Sequence, residues 1–130
     1  MTEVKLNNKF SLHDKYTLLE GRIILSGIQA LVRLLLDQNR ADLIKGLNTG
    51  TLVSGYRGSP VGMLDINLIR NKKLIDQHNI KFIPGVNEDL GATLIYGSQM
   101  AGMVSNVKYD GVMGMWYGKA PGVDRSGDIF

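Results

Sequence analysis

The chain contains no cysteine, so its own side chains form no disulfide, no thiolate nucleophile and no iron–sulfur ligand set. A secretory leader is not expected: the opening MTEVKLNNKFSLHDKY mixes charges with isolated apolar residues. A membrane span is not expected either, because the longest apolar run, IILSGIQALV, is far too short. The net charge is modest at +3, with 15 Lys and Arg against 12 Asp and Glu. The basic residues are dispersed; Lys72 and Lys73, near Arg70, form the one cluster and suit a solvated helix face. With no basic stripe carrying aromatics, neither nucleic acid nor a membrane is expected as a partner. His13 and His78 lack metal-ligand spacing, so no metal site is expected. Neither GxGxxG nor a P-loop lysine motif occurs, and there is no internal repeat or low-complexity tract. These absences leave a soluble, cytoplasmic polypeptide as the expectation.

Glycine is abundant instead. Sixteen of 130 residues are glycine, well above the usual frequency of about 7%. They cluster after Thr49, from Gly85 to Gly102 and from Gly111 to Gly127, which implies tight turns and close backbone approaches. The length suits one domain or part of one.

The pattern becomes helical at Ser26: Ile28, Leu31, Val32 and Leu35 recur at i, i+3, i+4 and i+7, and the helix is expected to reach Lys45 and stop at Gly46. TLVSGY (51–56) reads as a strand leading into the loop RGSPVG. A second helix follows with Leu64, Leu68 and Ile75 on one face. IKFIP is a strand, after which Asn87 caps a third helix extending to about Gly102. GVMGMWYG (111–118) is the last strand candidate, continuing into KAPGVDRSGD. Helices alternating with strands predict an α/β fold with an open, mostly parallel sheet and flanking helices. Residues 1–16 are expected to be an irregular arm. No helix follows DRSGDIF to cover the sheet, so the chain is expected to be part of a longer protein, its domain truncated at the C-terminus.

Ligands of open α/β sheets bind at the carboxyl ends of strands. Three loops leave such ends: YRGSPVG, GVNED and GKAPGVDRSGD. If the strands are neighbours, Arg57, Ser59, Glu88, Asp124 and Arg125 share one cleft. Glu88 has two readings: it complements the helix dipole, as Asp89 can, or it moves a proton. On the third helix, Leu90, Leu94, Gly97 and Ala101 share a face that a backbone or ring could approach. Trp116 and Tyr117 suit the core, and Met100, Met103, Met113 and Met115 suit packing.

GVNEDLGATLIYGSQMAG, a glutamate directly after a strand at the head of a helix rich in small residues, resembles the pyrimidine-binding domain of thiamine diphosphate enzymes. SGYRGSP looks like the GYPGTP loop of 2-oxoacid:ferredoxin oxidoreductases, with Ser59 in place of a substrate-contacting threonine and Arg57 in place of proline. Together, GYRGSP, PGVNEDL and MWYGKAPGVDRSGD are similar, in family order, to the N-terminal part of long-chain indolepyruvate ferredoxin oxidoreductases. The resemblance implies that residues 17–130 are an incomplete pyrimidine-binding domain. It further implies oxidative decarboxylation of an aryl 2-oxoacid to an acyl-coenzyme A, with electrons passed to ferredoxin.

In that family the glutamate shares a proton with the ring nitrogen of the cofactor's aminopyrimidine, and Glu88 is the matching position. A carboxyl for this task must hold its proton near neutral pH, which burial favours. Arg57 and Arg125 are candidates to grip the 2-oxoacid carboxylate, or else surface arginines and ion-pair partners, Arg125 with Asp124 for instance. Ser59 would either donate to substrate or cap the following helix. Gly58, Gly85 and Gly118, with Asn87, would let backbone approach the cofactor. The Gly-Asp-Gly magnesium motif of the superfamily is missing, since the SGD at Asp128 lacks the strand context and the downstream asparagine. Magnesium, the diphosphate and the iron–sulfur clusters are therefore expected in other domains of the same enzyme, which is expected to be a homodimer. Two rival readings stay open. One is a phosphate- or nucleotide-binding α/β domain using GYRGSPVG, although Pro60 removes a backbone donor from that loop. The other is a non-catalytic assembly domain.

Overall fold

The computed structural model describes residues 10–129. Three parallel strands form an open sheet: β1 (Thr49–Gly55), β2 (Ile80–Phe82) and β3 (Gly111–Tyr117), in the order β2-β1-β3. The helices are α1 (Asp14–Thr17), α2 (Gly27–Ile44), α3 (Leu64–Arg70), α4 (Lys72–Gln77), α5 (Glu88–Gln99) and α6 (Ala120–Arg125). The α/β class and the parallel sheet match the sequence expectation.

Local signals explain the boundaries. Ser26 opens α2 with a capping box: its hydroxyl accepts from Gln29 N–H, while the Gln29 side chain accepts from Ser26 N–H. The helix closes with Gly46 N–H donating to Leu43 O and Leu47 N–H to Asp42 O. Gly46 sits at φ +78°, a left-handed conformation in which a side chain would be strained. Asn87 caps α5 as anticipated, its Oδ1 accepting from Leu90 N–H at 2.8 Å. The helical path then tightens into a 3₁₀ turn at Met100–Met103.

The core lies between the sheet and α2, α3 and α4. Val32, Leu35, Leu36, Val53, Leu64 and Leu68 are fully buried there, with Ile75 and Ile80 beside them. Deleting a buried leucine side chain from such a core costs about 2–5 kcal/mol. Helix α5 covers the opposite face. Its Gly91 lies so close to the strands that an added Cβ would come within 3.3 Å of Trp116 and 3.4 Å of Ser54.

Three expectations need correction. The second helix is split at Asn71, whose ψ of 19° leaves the helical region and whose amide bonds back to Asn67 O. Its apolar face nevertheless stays continuous, because Leu64, Leu68 and Ile75 are all buried. The expected irregular arm lies partly outside the described residues, but its end forms α1. Tyr16 is buried in the core, and Arg33 and Arg40 grip the carbonyls of Lys15, Tyr16 and Leu18. Met100 and Met103 are exposed rather than packed, whereas Met113 and Met115 pack against the core. No helix among the described residues is long and apolar enough to cross a membrane.

Candidate functional site

From β1 the chain crosses to β2 on one side, then returns over the sheet through α5 to β3 on the other. Strand direction of travel therefore reverses at β1, and the crevice outside the carboxyl ends of β1 and β3 is where such sheets bind ligands. Residues Tyr56–Ser59 follow β1 and Gly118–Ala120 follow β3. The ladder extends into this rim through Tyr56 N–H to Tyr117 O and Gly85 N–H to Gly55 O.

Glu88 lies at this edge and is only 8% exposed. Here Oε1 accepts from Lys119 N–H at 3.3 Å, while Oε2 takes no hydrogen bond from the described residues. Two glycines make this placement possible. A Cβ at Gly118 would stand 2.7 Å from Glu88 Cγ, and one at Gly122 would stand 2.3 Å from Glu88 Cδ. Gly118, one of the glycines singled out in the sequence, thus lies directly against Glu88. Gly122 was not anticipated, because α6 reads as loop in the sequence; Pro121 in its first turn is the signal that marks it.

Asp89 is not a simple dipole partner. Ser126, 1% exposed, donates to Asp89 Oδ1 at 2.5 Å, with Gly122 O 2.7 Å away as its other acceptor. Arg125 pairs with Asp89 Oδ2 at 2.8 Å. The Ser126 hydroxyl, opposed by some burial and aided by the Arg125 guanidinium, holds the Asp89 carboxyl below the usual carboxylate range. Asp89 thus latches α6 and the turn after it onto α5, over Glu88. Arg125 pairs with Asp89 instead of the anticipated Asp124, which is exposed.

Ser59 is buried beside Gly118. Its hydroxyl accepts from Val61 N–H at 3.2 Å and donates to Gly118 O at 3.4 Å, bridging the β1 and β3 loops. It does not cap α3, whose N-cap is Met63. Arg57 is exposed, with Nε 3.5 Å from the buried Asp65. Asp65 also bears on Tyr117: burial first, then the Asp65 charge, pushes the Tyr117 phenol up to about 12, with Arg57 opposing. Gly85 is constrained by its neighbour, since a Cβ would meet Asn87 O at 2.9 Å. Gly58 lies under the Tyr56 ring, 2.6 Å from where a Cβ would be. The structure therefore brings Glu88, Gly118 and Ser59 together, sets Arg125 at the rim through Asp89, and ties Arg57 to Asp65.

The α5 face carrying Leu90, Leu94 and Gly97 is open, whereas Ala101, expected on the same face, falls in the 3₁₀ turn after it. With Leu52 the open face lines a cavity of about 540 Å³, and a Cβ at Gly97 would meet nothing within 4 Å. Among the described residues no cluster of His, Asp or Glu is placed to hold a metal ion. Comparison of the chain with models of known protein families, with curated proteins and with solved structures finds no match.

Proposed function

We propose that this chain forms the pyrimidine-side wall of a thiamine diphosphate-dependent 2-oxoacid:ferredoxin oxidoreductase of the indolepyruvate type. The observation that carries the reading is Glu88: a largely buried carboxyl at the switch point of a parallel sheet, with one oxygen held by a backbone N–H and the other unengaged among the described residues. Its chemistry fits an aminopyrimidine edge, which offers a ring nitrogen able to share a proton. Thiamine diphosphate supplies, when bound, the carbon chemistry of 2-oxoacid decarboxylation.

The chain's residues take supporting roles in this reading. Glu88 would hold or yield a proton at Oε2, while Lys119 N–H fixes Oε1. Bare backbone at Gly118 and Gly122 leaves the room in which the carboxyl sits. Ser59 would orient the β3 loop through Gly118 O. Arg57 keeps its terminal guanidinium nitrogens unengaged among the described residues and would meet the 2-oxoacid carboxylate. Arg125 would stand behind it as a latch. With no metal cluster among the described residues and no cysteine in the sequence, the reading assigns the magnesium diphosphate and the iron–sulfur centres to other domains. Coenzyme A and ferredoxin would engage the same assembly, as a homodimer.

One observation favours a second reading, a non-catalytic assembly domain. Lys119 N–H and Gly122 cover the carboxyl closely enough for Glu88 to be a tie between α5 and α6. Glu88→Gln separates the two, because glutamine preserves the acceptor for Lys119 N–H but cannot share a carboxyl proton. In the enzyme assembled with its diphosphate-binding domain, the variant should fold normally and lose about 10²–10⁴ in decarboxylation rate. Turnover close to that of the unaltered enzyme would establish the tie and overturn the catalytic reading.

A further inference from the structure

Asp65 is a buried carboxylate with one charged partner. It stands in the first turn of α3 and is 6% exposed. Its Oδ1 accepts from Ile66 N–H at 2.8 Å. Its Oδ2 lies 3.5 Å from Arg57 Nε, the one ion pair of Asp65 among the described residues. A buried carboxylate is costly unless something pairs with it, so this contact weighs more than a pair between two exposed groups. Arg57 occupies a corner of the turn closed by Ser59 N–H donating to Tyr56 O at 3.1 Å. Ser59 in turn ties that loop to the one after β3 through Gly118 O. The Arg57 backbone is thereby held at the carboxyl end of β1, while its side chain remains 63% exposed. An exposed arginine samples many rotamers and loses them when it grips a ligand. Asp65 approaches the guanidinium at Nε, the edge nearest the backbone, and so leaves the fork of terminal nitrogens to a carboxylate.

We propose that Asp65 is a positioning residue: it aims the Arg57 fork into the crevice outside β1 and β3, and so selects substrates that carry a carboxylate. For the identity of that substrate, a 2-oxoacid, the inference rests on the proposed oxidoreductase activity. A simpler role makes the opposite prediction. As a counter-ion alone, Asp65 would compete with the incoming carboxylate for Arg57, and removing its charge would strengthen binding. As a positioning group it lowers the cost of ordering Arg57, and its removal weakens binding. The sign of the change separates the two.

The test is a titration of the isotope-labelled full chain with phenylpyruvate, with uncharged phenylpyruvamide as the control, followed at the Arg57 Nε–H and Gly58 amide resonances. Expected are saturable shifts with the acid and none with the amide. Asp65→Asn keeps an oxygen for Ile66 N–H but offers Arg57 no charge, and should weaken binding by about threefold to tenfold. In an Arg57→Lys background the same change should weaken binding no further. In the free chain, nitrogen relaxation should show Arg57 Nε more rigid than Nε of Arg70, which is exposed and has no ion pair among the described residues. Unchanged or tighter binding by Asp65→Asn would overturn the proposal, as would equal shifts with acid and amide or no saturable shift at millimolar acid. If that variant does not fold, an Arg57 Nε as mobile as that of Arg70 overturns it in the unaltered chain. The titration contains no thiamine cofactor and reads no turnover, so it can fail while the Glu88 reading stands, and succeed while Glu88→Gln defeats that reading.

Discussion

Replacing Gly122 with alanine tests the packing around Glu88 most sharply. The new Cβ would lie 2.3 Å from Glu88 Cδ, 2.5 Å from Cγ and 2.6 Å from Oε1, whereas ordinary contact begins at 3.4 Å. The carboxyl or the α6 backbone must therefore move by roughly 1 Å, a displacement that can cost on the order of 10²-fold in rate when it affects a reacting group. Stability responds less. Alanine favours a helix over glycine by about 1 kcal/mol, and overpacking costs about 1–3 kcal/mol, so the net loss should not exceed about 2 kcal/mol. Gly97→Ala is the matched control, because its Cβ meets nothing within 4 Å and it should stabilise α5 by about 0.5–1 kcal/mol. Urea denaturation reads both stabilities. The Lys119 amide resonance reads the hydrogen bond to Oε1, and decarboxylation by the proposed assembly reads the proposed function. A Gly122→Ala variant with an unmoved Lys119 amide and full turnover would refute the described contact between α6 and Glu88.

Further predictions concern titration and the latch. Tyr117 is buried and its hydroxyl has no hydrogen-bond partner, so Tyr117→Phe should be neutral or stabilising by up to about 1 kcal/mol at pH 7. The folded chain holds the Tyr117 proton from the usual value of 10.0 up to about 12. Its stabilisation is therefore full below pH 10 and should decline by about 2–3 kcal/mol as pH rises through that interval. The phenylalanine variant should lack this alkaline slope in urea midpoints; an unchanged slope would contradict the assignment. The depressed Asp89 carboxyl works in the other direction: its contribution is present above the ordinary value of 3.8 and is lost as pH falls through the lowered one. Asp89→Asn should remove that acid-side dependence and speed hydrogen exchange at the Val123 and Ser126 amides, whose bonds to Lys119 O and Gly122 O form α6. Equal exchange in the two proteins would count against the latch.

How much of this was legible in the sequence depended on the range of the interaction. Local chemistry was readable: Ser26 as the start of α2, Asn87 as a cap, Gly46 as a stop, and the buried face of Val32, Leu35, Leu64 and Leu68. The break at Asn71 was not, because its side chain bonds back to Asn67 O while the apolar spacing on both sides continues one helical face. The candidate site was half visible. Glu88 follows a strand and opens a helix, so its position could be read, whereas its burial depends on Gly122, 34 residues later. The pairing of Asp89 with Ser126 and Arg125 spans a similar gap, and nearby Asp124 was the more obvious partner in the sequence. Met100 and Met103 looked like core by composition but fall on the exposed 3₁₀ turn, beyond the contact between α5 and the sheet.

The central claim is that the Glu88 carboxyl meets the pyrimidine ring of a thiamine cofactor. A structure of the assembled enzyme with thiamine diphosphate bound tests it most directly. The account predicts Glu88 Oε2 at hydrogen-bonding distance, about 2.6–3.2 Å, from a ring nitrogen. A ring bound elsewhere, with Glu88 still closed against Gly118 and Gly122, would contradict it.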